Sequence, residues 1–308
     1  MSHYKFTAIP DIFTSFGAAC AADPTLKITT QPDLALIARA YETDDAEDES
    51  NGTSTQWQRF VKYVEALNEK APEGTCYKVL YLTRHGQGDH NVMHEKVGTE
   101  AWDSHWSLLE GDGTVSWADA RLTPEGISQA TSLSAFWTDL IENGAPFPHS
   151  LYTSPLTRCL QTTKHIWHPI CNARNAPFNP TVKELLREQI TDHTCDRRSS
   201  RSYIVENFPE YRIEESFTET DELWRADRWE PLREHVERKQ KVLEDIFAND
   251  EGTFLSLSVH SFAIAVIMAV CRAEMYRVKE GTSIGLLVKA EKVDEPPVIE
   301  VGERLVGY

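Results

Sequence analysis

The chain is predicted to be an α/β protein: a three-layer α/β/α sandwich around a mostly parallel central sheet. Two observations predict it. Short apolar runs rich in strand-forming residues alternate with segments of helical periodicity, as expected of strands joined by crossover helices. Three of those runs also end in polar chemical groups, at Arg84-His85-Gly86, at the turn from Ser154 to Arg158, and at His260. Open sheets present ligand-binding side chains beyond the carboxyl ends of their strands.

The elements follow in order. Met1 to Gly52 carries few regular signals; Phe13, Phe16 and Ile37 are candidates to pack on a core, and Glu42 to Ser50 is an acidic stretch expected to be solvated. Trp57, Phe60, Val61, Val64 and Leu67 recur at helical spacing and predict a helix over Thr55 to Lys70, closed by Pro72-Glu73-Gly74. Cys76 to Leu82 reads as the first core strand. After Asn91 a segment with Trp102, Trp106 and Trp117 shows little periodicity.

Thr123 as N-cap and Pro124 at the first position start a helix to about Asn143, with Ile127, Ala130, Leu133, Phe136, Trp137 and Leu140 on its buried face. Ser150 to Thr153 is a short strand, and a helix carrying Leu156, Arg158, Leu160 and Thr163 follows it before Pro169. Thr181 to Leu186 is a strand candidate leading into Arg187-Glu188. Ile190 to Arg228 loses alternation and reads as an insertion over the site. A charge-rich helix over Glu230 to Phe247, a strand over Phe254 to Val259 and a buried helix over Ala263 to Cys271 come next. Ile284 to Val288 and Pro297 to Val301 are read as closing strands. Residues 1–75 are thus expected to form an N-terminal extension with one helix on the core, and 76–308 a single domain with its insertion at 190–228.

Composition narrows the function. With 48 acidic against 31 basic residues the formal charge is -17, which argues against nucleic-acid and membrane-surface partners. An anionic substrate would need a local basic pocket, and Arg187, Arg197, Arg198 and Arg201 are clustered. No apolar run is long enough to span a bilayer and no secretory signal opens the chain. Six cysteines without paired spacing favour a reduced, cytoplasmic setting.

The residue types at the strand ends suit phosphoryl transfer. A neutral imidazole, His85, attacks phosphorus while its other ring nitrogen donates to a fixed acceptor. Guanidinium forks from Arg84 and Arg158 match the phosphate oxygens and depress the histidine pKa. His260 donates to the same oxygens. Glu188, or Glu184 on the same segment, supplies a proton to the leaving alkoxide and later takes one from water. Arg197, Arg198 and Arg201 either read an acidic group on the substrate or form a solvated charge run. A zinc site on His85, His90 and His94 with Asp89 is disfavoured, because Arg84 would repel the cation.

These motifs carry a resemblance. Arg84-His85-Gly86, Leu122-Thr123-Pro124-Glu125-Gly126 with Gln129-Ala130, Ser154 to Thr162, and Val259-His260-Ser261 occur in the order found in the histidine phosphatase superfamily, the phosphoglycerate-mutase-like fold. The resemblance spans Tyr77 to Val288. It implies His85 as the phosphorylated nucleophile, with Arg84, Arg158 and His260 as the phosphate pocket and Glu188 at the acid position. Asn91 matches a polar residue at the pocket edge, although it is equally a cap for the following helix. Gln87-Gly88-Asp89-His90-Asn91 departs from the Glu-Ser-x-Trp-Asn of cofactor-dependent phosphoglycerate mutases, and Phe262 departs from a small residue after the second histidine. The expectation is a metal-independent phosphomonoesterase with no cofactor, acting on a small phosphorylated substrate. A phosphomutase, a non-hydrolytic phospholigand-binding protein, and a specialised-pathway protein using the same pocket are the alternatives.

Overall fold

The computed structural model describes residues 3–44 and 54–299. Its regular elements are, in order, β1 (His3–Ala8), α1 (Gly17–Ala22), α2 (Gln56–Glu69), β2 (Thr75–Arg84), α3 (Asp89–Val97), α4 (Thr99–Ser104), α5 (Pro124–Glu142), β3 (Ser150–Thr153), α6 (Thr157–Ala173), β4 (Thr181–Val182), α7 (Arg201–Asn207), β5 (Arg212–Ile213), α8 (Leu232–Asn249), β6 (Phe254–Val259), α9 (Ser261–Val270) and β7 (Ser283–Val293). One sheet holds all the strands in the order β1-β7-β2-β6-β3-β4-β5. Only β7 runs against the others, pairing antiparallel with β1 and with β2, while β2, β6, β3, β4 and β5 pair in parallel. The expected α/β architecture with a mostly parallel sheet is present.

Strand alternation makes the layers. On β2, Leu80 and Leu82 face α8 and α9, meeting Val242, Leu243, Ile246, Ile264 and Val266. Val79 and Tyr81 face the other way, into Trp57, Phe60, Ala130, Trp137, Ile166 and Trp167 of α2, α5 and α6. A strand covered on both faces reads as a continuous apolar run, as this one does. The helix starts follow local rules. Thr55 accepts from the backbone N–H of Gln58 at 3.2 Å while the Gln58 side chain accepts from the Thr55 N–H at 2.8 Å, a reciprocal capping box. Thr123 accepts from the Gly126 N–H at 3.0 Å.

Several expectations are corrected. The N-terminal stretch contributes an edge strand, β1, and not a helix alone. The tryptophan segment holds α3 and α4; their only buried apolar residues are Met93 and Trp102, so no stripe marked them. Ile127 is exposed and Phe136 only partly buried, because the core of α5 is carried by Ala130, Leu133, Trp137 and Leu140. Helix α6 continues through Pro169 to Ala173. The strand expected over Thr181 to Leu186 stops at Val182, after which Glu184–Leu186 make a 3₁₀ turn. The closing segment is one long strand, β7; Pro297 to Ile299 are not in a strand, and Glu300 and Val301 lie outside the described residues. Of the acidic stretch only Glu42 to Asp44 is described, with Asp44 paired to Arg59 at 2.8 Å.

The insertion joins the sheet, since β5 pairs with β4. Its base is closed by Glu230, which receives the Ile190 N–H at 3.1 Å on its carboxylate and donates its own N–H to the Ile190 carbonyl at 2.7 Å. Inside it, buried Arg187 and Arg198 share Glu184, and Arg187 also pairs with Asp221 at 2.7 Å.

The N-terminus of α5 docks on the turn after β2, glycine against glycine. A Cβ on Gly126 would fall inside contact with the Gln87 backbone, and one on Gly86 inside contact with the Gly126 carbonyl. Both close neighbours are backbone and cannot swing aside. Gly126→Ala is therefore expected to destabilise the fold by about 1–3 kcal/mol, as overpacking does. Chemical denaturation measures it, and an unchanged midpoint would remove this contact from the account.

Candidate active site

Three neighbouring parallel strands, β2, β6 and β3, deliver the chemistry to one edge of the sheet. The Arg84 N–H donates to Thr282 at 2.8 Å, the His85 N–H to the Val259 carbonyl at 3.0 Å, and the His85 carbonyl accepts from Gly281 at 3.0 Å. The nucleophile candidate is thus pinned by its own backbone. Its ring is buried, and Nδ1 lies 2.7 Å from the Gly86 carbonyl. A carbonyl only accepts, so Nδ1 carries the proton and Nε2 keeps its lone pair. Gly86 is held in turn by donating its N–H to Thr162 Oγ1 at 3.1 Å.

The second histidine begins α9. His260 packs edge-on to His85 with ring centroids 5.1 Å apart, and its Nε2 lies 2.8 Å from Ser154 Oγ and 3.4 Å from Cys159 Sγ. His90, the second residue of α3, also lies beside His85, with ring centroids 5.6 Å apart. His94 turns away to Thr99 at 3.0 Å and stacks on Trp102.

Both arginines are buried and braced by the scaffold. Arg84 donates Nη1 to the Val278 carbonyl at 2.8 Å and pairs Nη2 with Glu280 at 2.6 Å. Arg158 donates Nη1 to the Cys195 carbonyl at 2.7 Å, with Nη2 3.6 Å from Asp196. Its buried Nε has no partner among the described residues. A guanidinium so fixed costs no reorganisation when an oxyanion arrives.

Glu188 is half-buried. Its Oε2 accepts from the Phe262 N–H at 2.9 Å, in the first turn of α9 after His260, and its Oε1 from the Gln189 N–H at 3.0 Å. Phe262, the departure noted in the sequence, supplies a backbone donor here. Glu184 is differently engaged, paired with Arg187 at 2.8 Å and Arg198 at 2.7 Å.

Electrostatics push the two kinds of group in opposite directions. Burial first, then Arg158 and Arg84, hold the His85 pKa well below the ordinary histidine value. His260 is depressed by burial, then Arg158 and His85. Burial raises the Glu188 carboxyl, against the opposing pull of its two backbone donors and Lys239. The histidines are thus biased towards their neutral form and the carboxyl towards its protonated form.

The fold brings Arg84, His85, Arg158, His260 and Glu188 together. Asn91 serves as the cap: its Oδ1 accepts from the Gly88 N–H at 2.9 Å. Arg198, a substrate-binding candidate from the sequence, sits in a closed environment. It is buried, with its donors engaged by Glu184 and the carbonyls of Ser199, Thr218 and Thr220, and its guanidinium lies over Phe217. Arg197 is partly exposed, paired with Glu110 at 2.5 Å and lying over Trp224, and Arg201 is exposed. In the sequence His90 stands out only as a metal-ligand candidate, and Cys159 and Thr162, inside the Ser154 to Thr162 motif, have no role of their own. The signal for the last two was their place one helical turn or less after Ser154-Pro155 and Arg158.

The model of the histidine phosphatase superfamily (branch 1) matches residues 80–280. A "probable phosphoglycerate mutase" of Arthroderma benhamiae is 43% identical over 293 residues, covering 95% of this chain and 87% of that protein. "Probable phosphoglycerate mutase PMU1" of Saccharomyces cerevisiae is 32% identical over 232 residues, covering 69% and 79%. Among solved structures, the α-ribazole phosphatase of Shigella flexneri matches with a TM-score of 0.41 at 15% identity, over 72% of this chain and 100% of that one.

The depressed histidines have a consequence for stability. In the unfolded chain they titrate at about pH 6.5, the ordinary histidine value, whereas the fold keeps His85 and His260 neutral to lower pH. Below that value the unfolded state binds more protons, so stability is full above it and falls as pH drops. Urea denaturation at about pH 7.5 and about pH 5.5 is expected to show a larger loss for the wild type than for a His85→Asn, His260→Asn double variant. Equal losses would contradict the burial account.

Proposed function

The chain belongs to the histidine phosphatase superfamily, and from that premise we propose that it is a phosphomonoesterase working through a phosphohistidine on His85. The observation that carries this reading is the paired displacement of the two acid–base groups, with the imidazole held neutral and its tautomer fixed by Gly86 while a neighbouring carboxyl is pushed towards protonation.

The chemistry follows from those states. Arg84, Arg158 and His260 hold the phosphoryl oxygens, and His85 Nε2 attacks phosphorus in line with the ester oxygen. As the P–O bond breaks, its electron pair goes to the ester oxygen, which takes the proton of Glu188. The resulting carboxylate then removes a proton from water, whose oxygen attacks phosphorus and returns the imidazole. Of the two candidate acids we assign the role to Glu188, because Glu184 is tied to two buried arginines.

A second reading, phosphomutase, has the names of the two fungal relatives behind it. In this chain the turn after the nucleophile supports hydrolysis. The Gln87 Oε1 accepts from the Thr123 hydroxyl at 2.8 Å, its backbone N–H donates to Gln129 Oε1 at 2.8 Å, and Asn91 Oδ1 accepts from the Gly88 N–H, so these side chains serve the local structure of the turn.

The test is hydrolysis of a chromogenic phosphate ester with chelator present. His85→Ala is expected to abolish it, and Glu188→Gln to lower turnover of alkyl phosphates by about 10²–10⁴-fold, the range for a general acid. Full activity in His85→Ala would end the proposal. Release of inorganic phosphate from a phosphorylated diol, followed beside formation of its positional isomer, separates hydrolase from mutase.

A further inference from the structure

The loop that carries Glu188 is held by two consecutive cations of α8. Arg238 donates Nη1 to the carbonyls of Leu185 at 3.1 Å and Arg187 at 2.9 Å, and Nη2 to the carbonyl of Glu188 itself at 2.7 Å. Lys239 donates Nζ to the same Leu185 carbonyl at 3.0 Å and to that of Arg187. Both side chains are buried, Lys239 completely.

Their pairing differs. Arg238 has a carboxylate, Glu230, at 2.5 Å. The Lys239 ammonium touches only carbonyl oxygens among the described residues, with no ion pair. A lysine kept dry without a carboxylate carries a large desolvation penalty, which an apolar residue of the same length would avoid. The carbonyls of Leu185, Arg187 and Glu188, all pointing at one helix, do need strong donors, however. They lie in a 3₁₀ turn and the residues after it, where no sheet or α-helix partner is available.

The carboxyl end of Glu188 is fixed independently by the N–H groups of Phe262 and Gln189. Those two N–H groups orient the carboxyl, while the Arg238–Lys239 clamp places the backbone that carries it. We propose that Lys239, with Arg238, is a positioning residue for proton donation: the pair sets the place of the Glu188 acid against the leaving group without touching substrate. This inference rests on the phosphohistidine reading and adds to it a device on a helix that none of the motifs includes.

The test uses the dependence on leaving group. A nitrophenyl ester departs as a stable phenolate and needs little protonation, whereas an alkyl ester needs the acid. Lys239→Met keeps the length and removes the donors. Its kcat on an alkyl phosphate is expected to fall about tenfold or more beyond any fall on the nitrophenyl ester, and this difference is expected to vanish in a Glu188→Gln background. An equal fall on both esters, or no fall on either, would overturn the proposal. Should Lys239→Met fail to fold, Arg238→Lys, which keeps the charge and loses the fork, is expected to show the same selective loss; a uniform loss there would overturn it. His85→Ala run beside them reports separately on the underlying reading, since it is expected to lose both esters alike.

Discussion

A neutral imidazole enclosed by guanidinium groups is the constraint on which the rest of the site depends. Water would leave His85 partly protonated near neutral pH, and a protonated ring cannot attack. Burial and the two arginines remove that proton, while the Gly86 carbonyl keeps the remaining one on Nδ1. In the proposed reaction the same cations bind the phosphoryl oxygens, so one arrangement prepares the nucleophile and stabilises the charge it generates. The arginines must stay in place when the site is empty, which accounts for their tethers to Val278, Glu280, Cys195 and Asp196.

The acid has the opposite requirement. In the proposed mechanism Glu188 has to carry a proton to the leaving group, and burial shifts its carboxyl in that direction. The fold meets the two needs at one sheet edge by drawing on different layers. Strands β2, β6 and β3 deliver the histidines and Arg158, and the loop after β4 brings in the carboxyl. The insertion is bound to that loop, since Arg187 and Arg198 pair with Glu184 below it and Glu230 closes its base.

Much of this was legible in the residues, for a physical reason. A strand buried on both faces is apolar throughout, and a polar group at its end stands out, as Arg84-His85 and His260 do. Helices α2 and α5 announced themselves through caps and stripes. What stayed hidden depends on contacts distant in sequence. Strand β1 buries little beyond Phe6, and its partner is β7 at the other end of the chain. Helix α3 has no apolar stripe because Met93 is its one buried apolar residue and Val92, Glu95 and Lys96 face solvent. Arg198 read as a free cation, and only the fold shows the carbonyls that saturate it. Lys239 sat among ordinary helix charge pairs in the sequence; its burial follows from a turn more than fifty residues earlier.

The central claim is that the phosphoryl group passes through His85 Nε2. Rapid acid-free quenching of the enzyme during turnover of a ³²P-labelled ester, followed by phosphohistidine analysis of the peptide containing Arg84-His85-Gly86, tests it most directly. The account predicts a base-stable, acid-labile phosphoryl group on Nε2 of His85 that accumulates within the first turnover. A label on Nδ1, on another residue, or no covalent label during active turnover would contradict it.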